Sequence, residues 1–149
     1  TIAQRYREAL QDVPGLLLPD ASAGHGHGWN QFVVRVTVCP NDASSSATHS
    51  PGEFGLPSSH CRDWLKQSLQ EQGVNTIIYY PIPIHRQPAY AEQHCNSCLP
   101  VTEQLCSEVL SLPIFPELTN EQQEQVISVL RSLLIQNAPL NSQTCSVAA

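Results

Sequence analysis

Residues 79–90, Tyr-Tyr-Pro-Ile-Pro-Ile-His-Arg-Gln-Pro-Ala-Tyr, gather the densest set of chemically useful side chains in this 149-residue chain. Tyr79, Tyr80, His85 and Tyr90 offer rings that stack on a planar group and polar atoms that hydrogen-bond to hydroxyl or phosphate oxygens. Pro81 and Pro83 hold φ near about −65° and remove two backbone donors, so the segment leaves any sheet as a stiff arm. A stiff arm loses little entropy when something binds to it. The same pattern also suits an edge strand whose aromatic rings fill the core. Composition alone leaves both readings open.

Other candidates are weaker. Cys95 and Cys98 form a lone C-x-x-C, two thiolates where closed zinc sites use four ligands, and Cys106 adds no recognised spacing. A redox role for the pair would want a thioredoxin-type context, which is missing. The stretch "HGHGWN" (25–30) reads as a glycine-rich turn before a strand rather than a metal clip. Lys66 is the sole lysine. It sits mid-helix, away from the face carrying Trp64, Leu65 and Leu69, and reads as solvated. A cofactor-anchoring lysine is desolvated beside its ligand. No Walker loop, G-x-G-x-x-G turn or nucleophile elbow is present, so no catalytic and no metal residue is assigned to this chain.

The elements that must position the arm are legible from periodicity. "TIAQRYREALQDV" (1–13) has Ile2, Tyr6, Ala9, Leu10 and Val13 on one helical face, and Pro14-Gly15 ends it. "WNQFVVRVTV" (29–38) reads as a strand. Residues 39–60 are rich in Ser, Pro and Gly and read as a flexible loop. "SSHCRDWLKQSLQEQG" (58–73) reads as a helix capped by Ser58 or Ser59, with Gly73 as a left-handed stop. "VNTIIYY" (74–80) is expected as the second strand, 99–109 as a short helix and 110–115 as an extended segment. The last helix begins at a Thr119-x-x-Gln122 capping box and carries Val126, Leu130 and Leu133 on one stripe. Residues 138–149 read as a loose tail. This order predicts one domain of the α/β class. More closely, it is an α+β unit with a small antiparallel or mixed sheet of about three strands packed with helices.

Charged residues make up only 13% of the chain and the net charge is −6, which argues against a nucleic-acid surface. No apolar run approaches the ~20 residues of a membrane helix, and residues 1–30 do not have the pattern of a signal peptide. A cytoplasmic location with six reduced cysteines is the expectation that follows. The chain contains no methionine and opens directly on a helix, so it is expected to be part of something longer.

Two long motifs, Tyr80-Pro81-x-Pro83-x-His85-x-Gln87-Pro88-x-Tyr90 and Leu110-Ser111-Leu112-Pro113-x-x-Pro116-x-Leu118, resemble the C-terminal part of the DegT/StrS-type sugar aminotransferases. The likeness extends to "QRYREAL…PGLLLP" and "WNQFVVRV" and covers about residues 1–136. It implies the small C-terminal domain of an aspartate-aminotransferase-like fold. It also implies a large domain, outside this chain, that holds pyridoxal 5'-phosphate and the lysine that anchors it. By that resemblance the full enzyme, a homodimer, moves an amino group from an amino acid such as glutamate to a nucleotide-linked keto-sugar. The arm would then be the lid edge over the sugar, with Tyr80 and His85 the leading substrate residues and Tyr79 and Tyr90 beside them. Tyr79 stands where relatives often have histidine, the loop 39–60 is longer than usual, and "HCNSC" replaces a segment where glycine is more common. The isolated chain is expected to be inactive. The alternatives are a free-standing module that binds a sugar nucleotide or a partner subunit, and a thiol or zinc module built on Cys95 and Cys98.

Overall fold

Thr1 caps the first helix, its Oγ1 accepting from the Gln4 backbone N–H at 3.2 Å. The computed structural model describes residues 1–20, 26–38, 60–90 and 98–136. Helix α1 (Ile2–Leu10) turns Ala3, Tyr6 and Leu10 inward. Strand β1 (Leu16–Leu17) follows at once. Gly15, at φ 74°, sits so close to Val38 that a Cβ there would lie 2.7 Å from the Val38 Cβ. Only glycine admits that approach. It lets the Thr37 N–H donate to the Gly15 carbonyl at 2.8 Å.

Strand β2 (Phe32–Val36) alternates buried Phe32, Val34 and Val36 with half-buried Val33 and Arg35. Helix α2 (His60–Glu71) buries Leu65 and Leu69 and ends at Gly73 with φ 77°. Helix α3 (Pro100–Glu108) runs straight into β3 (Val109–Leu112), and α4 spans Asn120–Gln136. The α4 capping box forms as expected: the Thr119 N–H donates to Gln122 Oε1 at 3.0 Å, and the Gln122 N–H donates to Thr119 Oγ1 at 3.2 Å.

The sheet is antiparallel in the order β1-β2-β3, with Leu16 opposite Val36, Phe32 opposite Leu112 and Val34 opposite Leu110. One face meets the helices in a core built around Tyr6, Phe32, Leu65, Leu69, Leu110 and Leu130, with α1 and α2 both packed on α4. Truncating any of these leucines to alanine would cost about 2–5 kcal/mol. Arg62, also buried, donates to the Cys106 and Val109 carbonyls and so satisfies the C-terminal end of α3.

The structure differs from the sequence expectation at the third strand and on α2. Residues 74–80 do not form a strand: only Ile77 pairs with the sheet, exchanging both backbone bonds with Ser111. In that register Asn75 falls opposite Pro113, which has no N–H to donate, and on the other side the chain turns away at Pro81. The ladder on that edge of β3 therefore stops after one pair, and the third strand of the sheet is the short β1 on the opposite edge, beside β2, which sequence periodicity did not mark. On α2, Trp64 is only half-buried and Arg62 takes a place inside, while Lys66 is half-buried rather than fully solvated. The proposed Ser58 or Ser59 cap, most of the 39–60 loop, Cys95 and the 138–149 tail lie outside the described residues.

Candidate functional site on the tyrosine arm

The arm starts where α2 stops. The Gly73 turn reverses the chain, the Val74 N–H donates back to the Leu69 carbonyl at 2.8 Å, and Ile77 locks onto β3. From Tyr79 onward the backbone is built from prolines and short 3₁₀ turns at Ile84–Arg86 and Pro88–Tyr90. Each turn closes on a local bond, Arg86 N–H to Pro83 and Gln87 N–H to Ile84 in the first, Tyr90 N–H to Gln87 in the second. Pro83 is buried under the arm and anchors it by packing.

The arm divides its side chains by face. Tyr80 is 70% exposed and Ile84 69%, with Tyr79 and Tyr90 also exposed. The Tyr79 and Tyr80 rings meet edge to face with centroids 5.7 Å apart. His85 goes the other way. It is 7% exposed, and its Nε2–H donates to Glu103 Oε1 at 2.8 Å. The same oxygen accepts from Arg86 Nε at 3.2 Å and Arg86 Nη2 at 3.1 Å, and more distantly from the Leu99 N–H. The His85 hydrogen bond, aided by the Arg86 guanidinium, holds the Glu103 carboxyl below the usual carboxylate range, against burial, which pushes it up.

Of the four residues singled out by sequence, the structure therefore presents three, Tyr79, Tyr80 and Tyr90, as a phenolic surface. It sets the fourth, His85, behind them as an inward-facing contact to α3. Sequence reasoning missed Glu103 and Arg86. Glu103 lies 18 residues beyond His85, in the first turn of a separate helix, and no spacing rule links the two.

Tyr79 also lines a groove of about 660 Å³ along the edge of the sheet, with Asn75, Ser111, Phe115, Gln122 and Gln125. That volume falls in the range of small-molecule sites. The groove is lined by carboxamides and apolar side chains, with no ionisable group except the Tyr79 phenol. The buried Ser111 hydroxyl at its wall has no hydrogen-bond partner among the described residues.

The remaining sequence candidates are not drawn together. Among the described residues, no group of three or more His, Cys, Asp or Glu is placed to hold a metal. Cys98 is exposed, and the Cys95 half of the C-x-x-C lies outside the described residues. His27 stacks on Trp29 with ring centroids 3.9 Å apart and accepts from the Trp29 N–H at Nδ1, while His25 lies outside the described residues. No helix among the described residues is long and apolar enough to cross a membrane.

The model of the DegT/DnrJ/EryC1/StrS aminotransferase family matches residues 37–131. The erythromycin biosynthesis sensory transduction protein EryC1 of Saccharopolyspora erythraea is 38% identical over 89% of this chain and 30% of its own length. A UDP-N-acetyl-3-dehydro-alpha-D-glucosamine 3-aminotransferase of Acidithiobacillus ferrooxidans is 36% identical over 87% of this chain and 28% of its own. Among solved structures, NtdA of Bacillus subtilis, with its cofactor PMP bound, superposes with a TM-score of 0.69 at 28% identity. The likeness covers 91% of this chain and 27% of that one. The chain thus spans about 30% of the length of the curated relatives it matches.

Proposed function

Because this chain belongs to the DegT/DnrJ/EryC1/StrS aminotransferase family, we propose that it is the C-terminal segment of a pyridoxal-phosphate-dependent sugar aminotransferase. The whole enzyme takes an amino group from an amino acid, glutamate in this reading, and delivers it to a keto-sugar carried on a nucleotide. It works as a cytoplasmic homodimer. The observation that carries the proposal is the arm: three exposed tyrosines on a proline-stiffened segment, held from behind by the His85–Glu103 contact. Phenols in that setting hydrogen-bond to sugar hydroxyls and phosphate oxygens and stack on a base, at small entropic cost. The name of the Acidithiobacillus relative, an aminotransferase acting on a UDP-linked sugar, agrees with that ligand.

The residues of this chain do not fit the cofactor. Its one lysine, Lys66, is half-buried on α2 and on a different element from the arm, and no glycine-rich phosphate cradle is present. Pyridoxal phosphate is therefore assigned to a domain outside this chain, and the chain alone is inactive. What this chain supplies is binding and orientation. Tyr80, Tyr79 and Tyr90 hold the sugar nucleotide, and His85 braces them.

The test is a reconstitution. The complete polypeptide is incubated with pyridoxal phosphate, glutamate and a UDP- or dTDP-linked keto-sugar, and the nucleotide product is identified by mass. Formation of the amino sugar together with 2-oxoglutarate is expected. Failure to aminate any nucleotide-linked keto-sugar, with an unlinked keto acid accepted instead, would overturn the substrate class.

A further inference from the structure

We infer that Glu103 is the positioning residue of the arm: its Oε1, which touches no substrate in this reading, sets where Tyr79, Tyr80 and Tyr90 stand. The functional half of this inference rests on the proposed role of the arm, whereas the structural half does not.

The backbone bonds within the arm each span three residues, so they shape the turns without tying them to the rest of the fold. Past Ile77, the hydrogen bonds that leave the arm among the described residues all end on one atom. His85 Nε2 reaches Glu103 Oε1 at 2.8 Å, and Arg86 Nε and Nη2 reach it at 3.2 and 3.1 Å. The acceptor sits in the first turn of α3, where the helix end favours a carboxylate. Leu99, the residue before that helix, gives it no side-chain cap, and Glu103 leans back toward the Leu99 N–H instead. One carboxylate thus joins the start of α3 to the middle of the arm. His85 and Glu103 are each 7% exposed, so water replaces these bonds poorly when they are lost. With His85 and Arg86 reaching Glu103, Ile84 beside them in the same turn stands exposed, and the tyrosines lie on the segments that lead into and out of that turn, Tyr90 in the next one.

The experiment measures amide hydrogen exchange by NMR in the 149-residue chain and in its Glu103→Gln and Glu103→Ala variants. The reporters are the hydrogen-bonded amides of Arg86, Gln87 and Tyr90; the amides of Thr37 and Gln123, bonded elsewhere, are references. Losing a charge-assisted tether should speed arm exchange roughly ten- to a hundredfold in Glu103→Ala. The Gln variant, which keeps an acceptor oxygen without the charge, should fall between, and the references should not change. Arm and reference amides accelerating together, or arm amides unmoved, would overturn the inference. If the Ala variant does not fold, the Gln variant carries the same comparison. A His85→Ala, Glu103→Ala pair should exceed the larger single effect by little, and full additivity would also count against a shared tether.

In the complete enzyme, Glu103→Ala should raise KM for the nucleotide keto-sugar and leave the amino-donor half-reaction unchanged. Freed arm amides with an unchanged keto-sugar half-reaction would refute the substrate role of the arm while the tether stands.

Discussion

Tyr80 and His85 are five residues apart on one arm, yet they should fail in opposite ways when changed. Tyr80 is 70% exposed, so Tyr80→Phe removes a hydroxyl that the fold does not use, and stability should move by no more than about 0.5 kcal/mol. If the phenol bonds the sugar nucleotide, losing that bond should cost ~1–3 kcal/mol. That is roughly a 5- to 150-fold weaker keto-sugar half-reaction. His85 is buried and donates to Glu103 at 2.8 Å, so His85→Ala removes a bond to a charged acceptor. The expected loss is about 1.5–3 kcal/mol of stability. In a chain of this size that lowers Tm by roughly 3–12 °C. Thermal melts of the two variants, together with stopped-flow measurement of each half-reaction in the complete enzyme, separate the effects. The amino-donor half-reaction should change little in either, because the cofactor is assigned to another domain. A Tyr80→Phe variant that melts as early as His85→Ala while using the keto-sugar normally would refute the outward and inward assignment. Loss confined to the amino-donor half-reaction would mean that the arm serves the other substrate.

The Glu103 carboxyl is held below the ordinary glutamate value of 4.5 in the folded chain. Its stabilisation is therefore present above that value and lost as pH falls below it, so the side-chain carboxyl carbon of Glu103, followed by NMR, should titrate below the ordinary glutamate range. Tyr6 is fully buried and donates to the Pro113 carbonyl at 2.9 Å, so Tyr6→Phe should cost about 1–2 kcal/mol in a denaturant melt. Burial also raises the Tyr6 phenol above its ordinary 10.0. The unfolded chain ionises first, so the wild type should lose stability as pH climbs past that value, through a contribution that the Phe variant lacks. Pyridoxal phosphate added to the chain alone should give no absorbance band that disappears in Lys66→Ala, and such a band would return the cofactor to this domain. Metal analysis of the purified chain should find far less than one zinc per molecule, since Cys95 and Cys98 supply two ligands; stoichiometric zinc would revive the thiol module.

The sequence by itself determined the features whose physics is local. Thr119 and Gln122 are one helical turn apart, so their capping box follows from spacing alone, and it forms. Gly73 ends α2 because only the last turn and the backbone freedom of glycine are involved. The alternation of Phe32, Val34 and Val36 marks β2 for the same reason. The two proline-rich motifs marked the family and drew attention to the arm. Tertiary structure decided everything that depends on what lies opposite. Whether 74–80 is a strand was settled by Pro113 facing Asn75 from another element, which no pattern within 74–80 could contain. The two-residue β1 carries too little alternation to be seen, and it exists because the Gly15 carbonyl and Leu16 meet the end of β2. The arm shows the division most clearly. Tyrosines and a histidine are equally able to face a ligand or a core, and their residue types leave the choice open. Glu103, brought beside His85 by the packing of α3, makes the inward position favourable for the histidine. The tyrosines of the arm stay exposed on its other face.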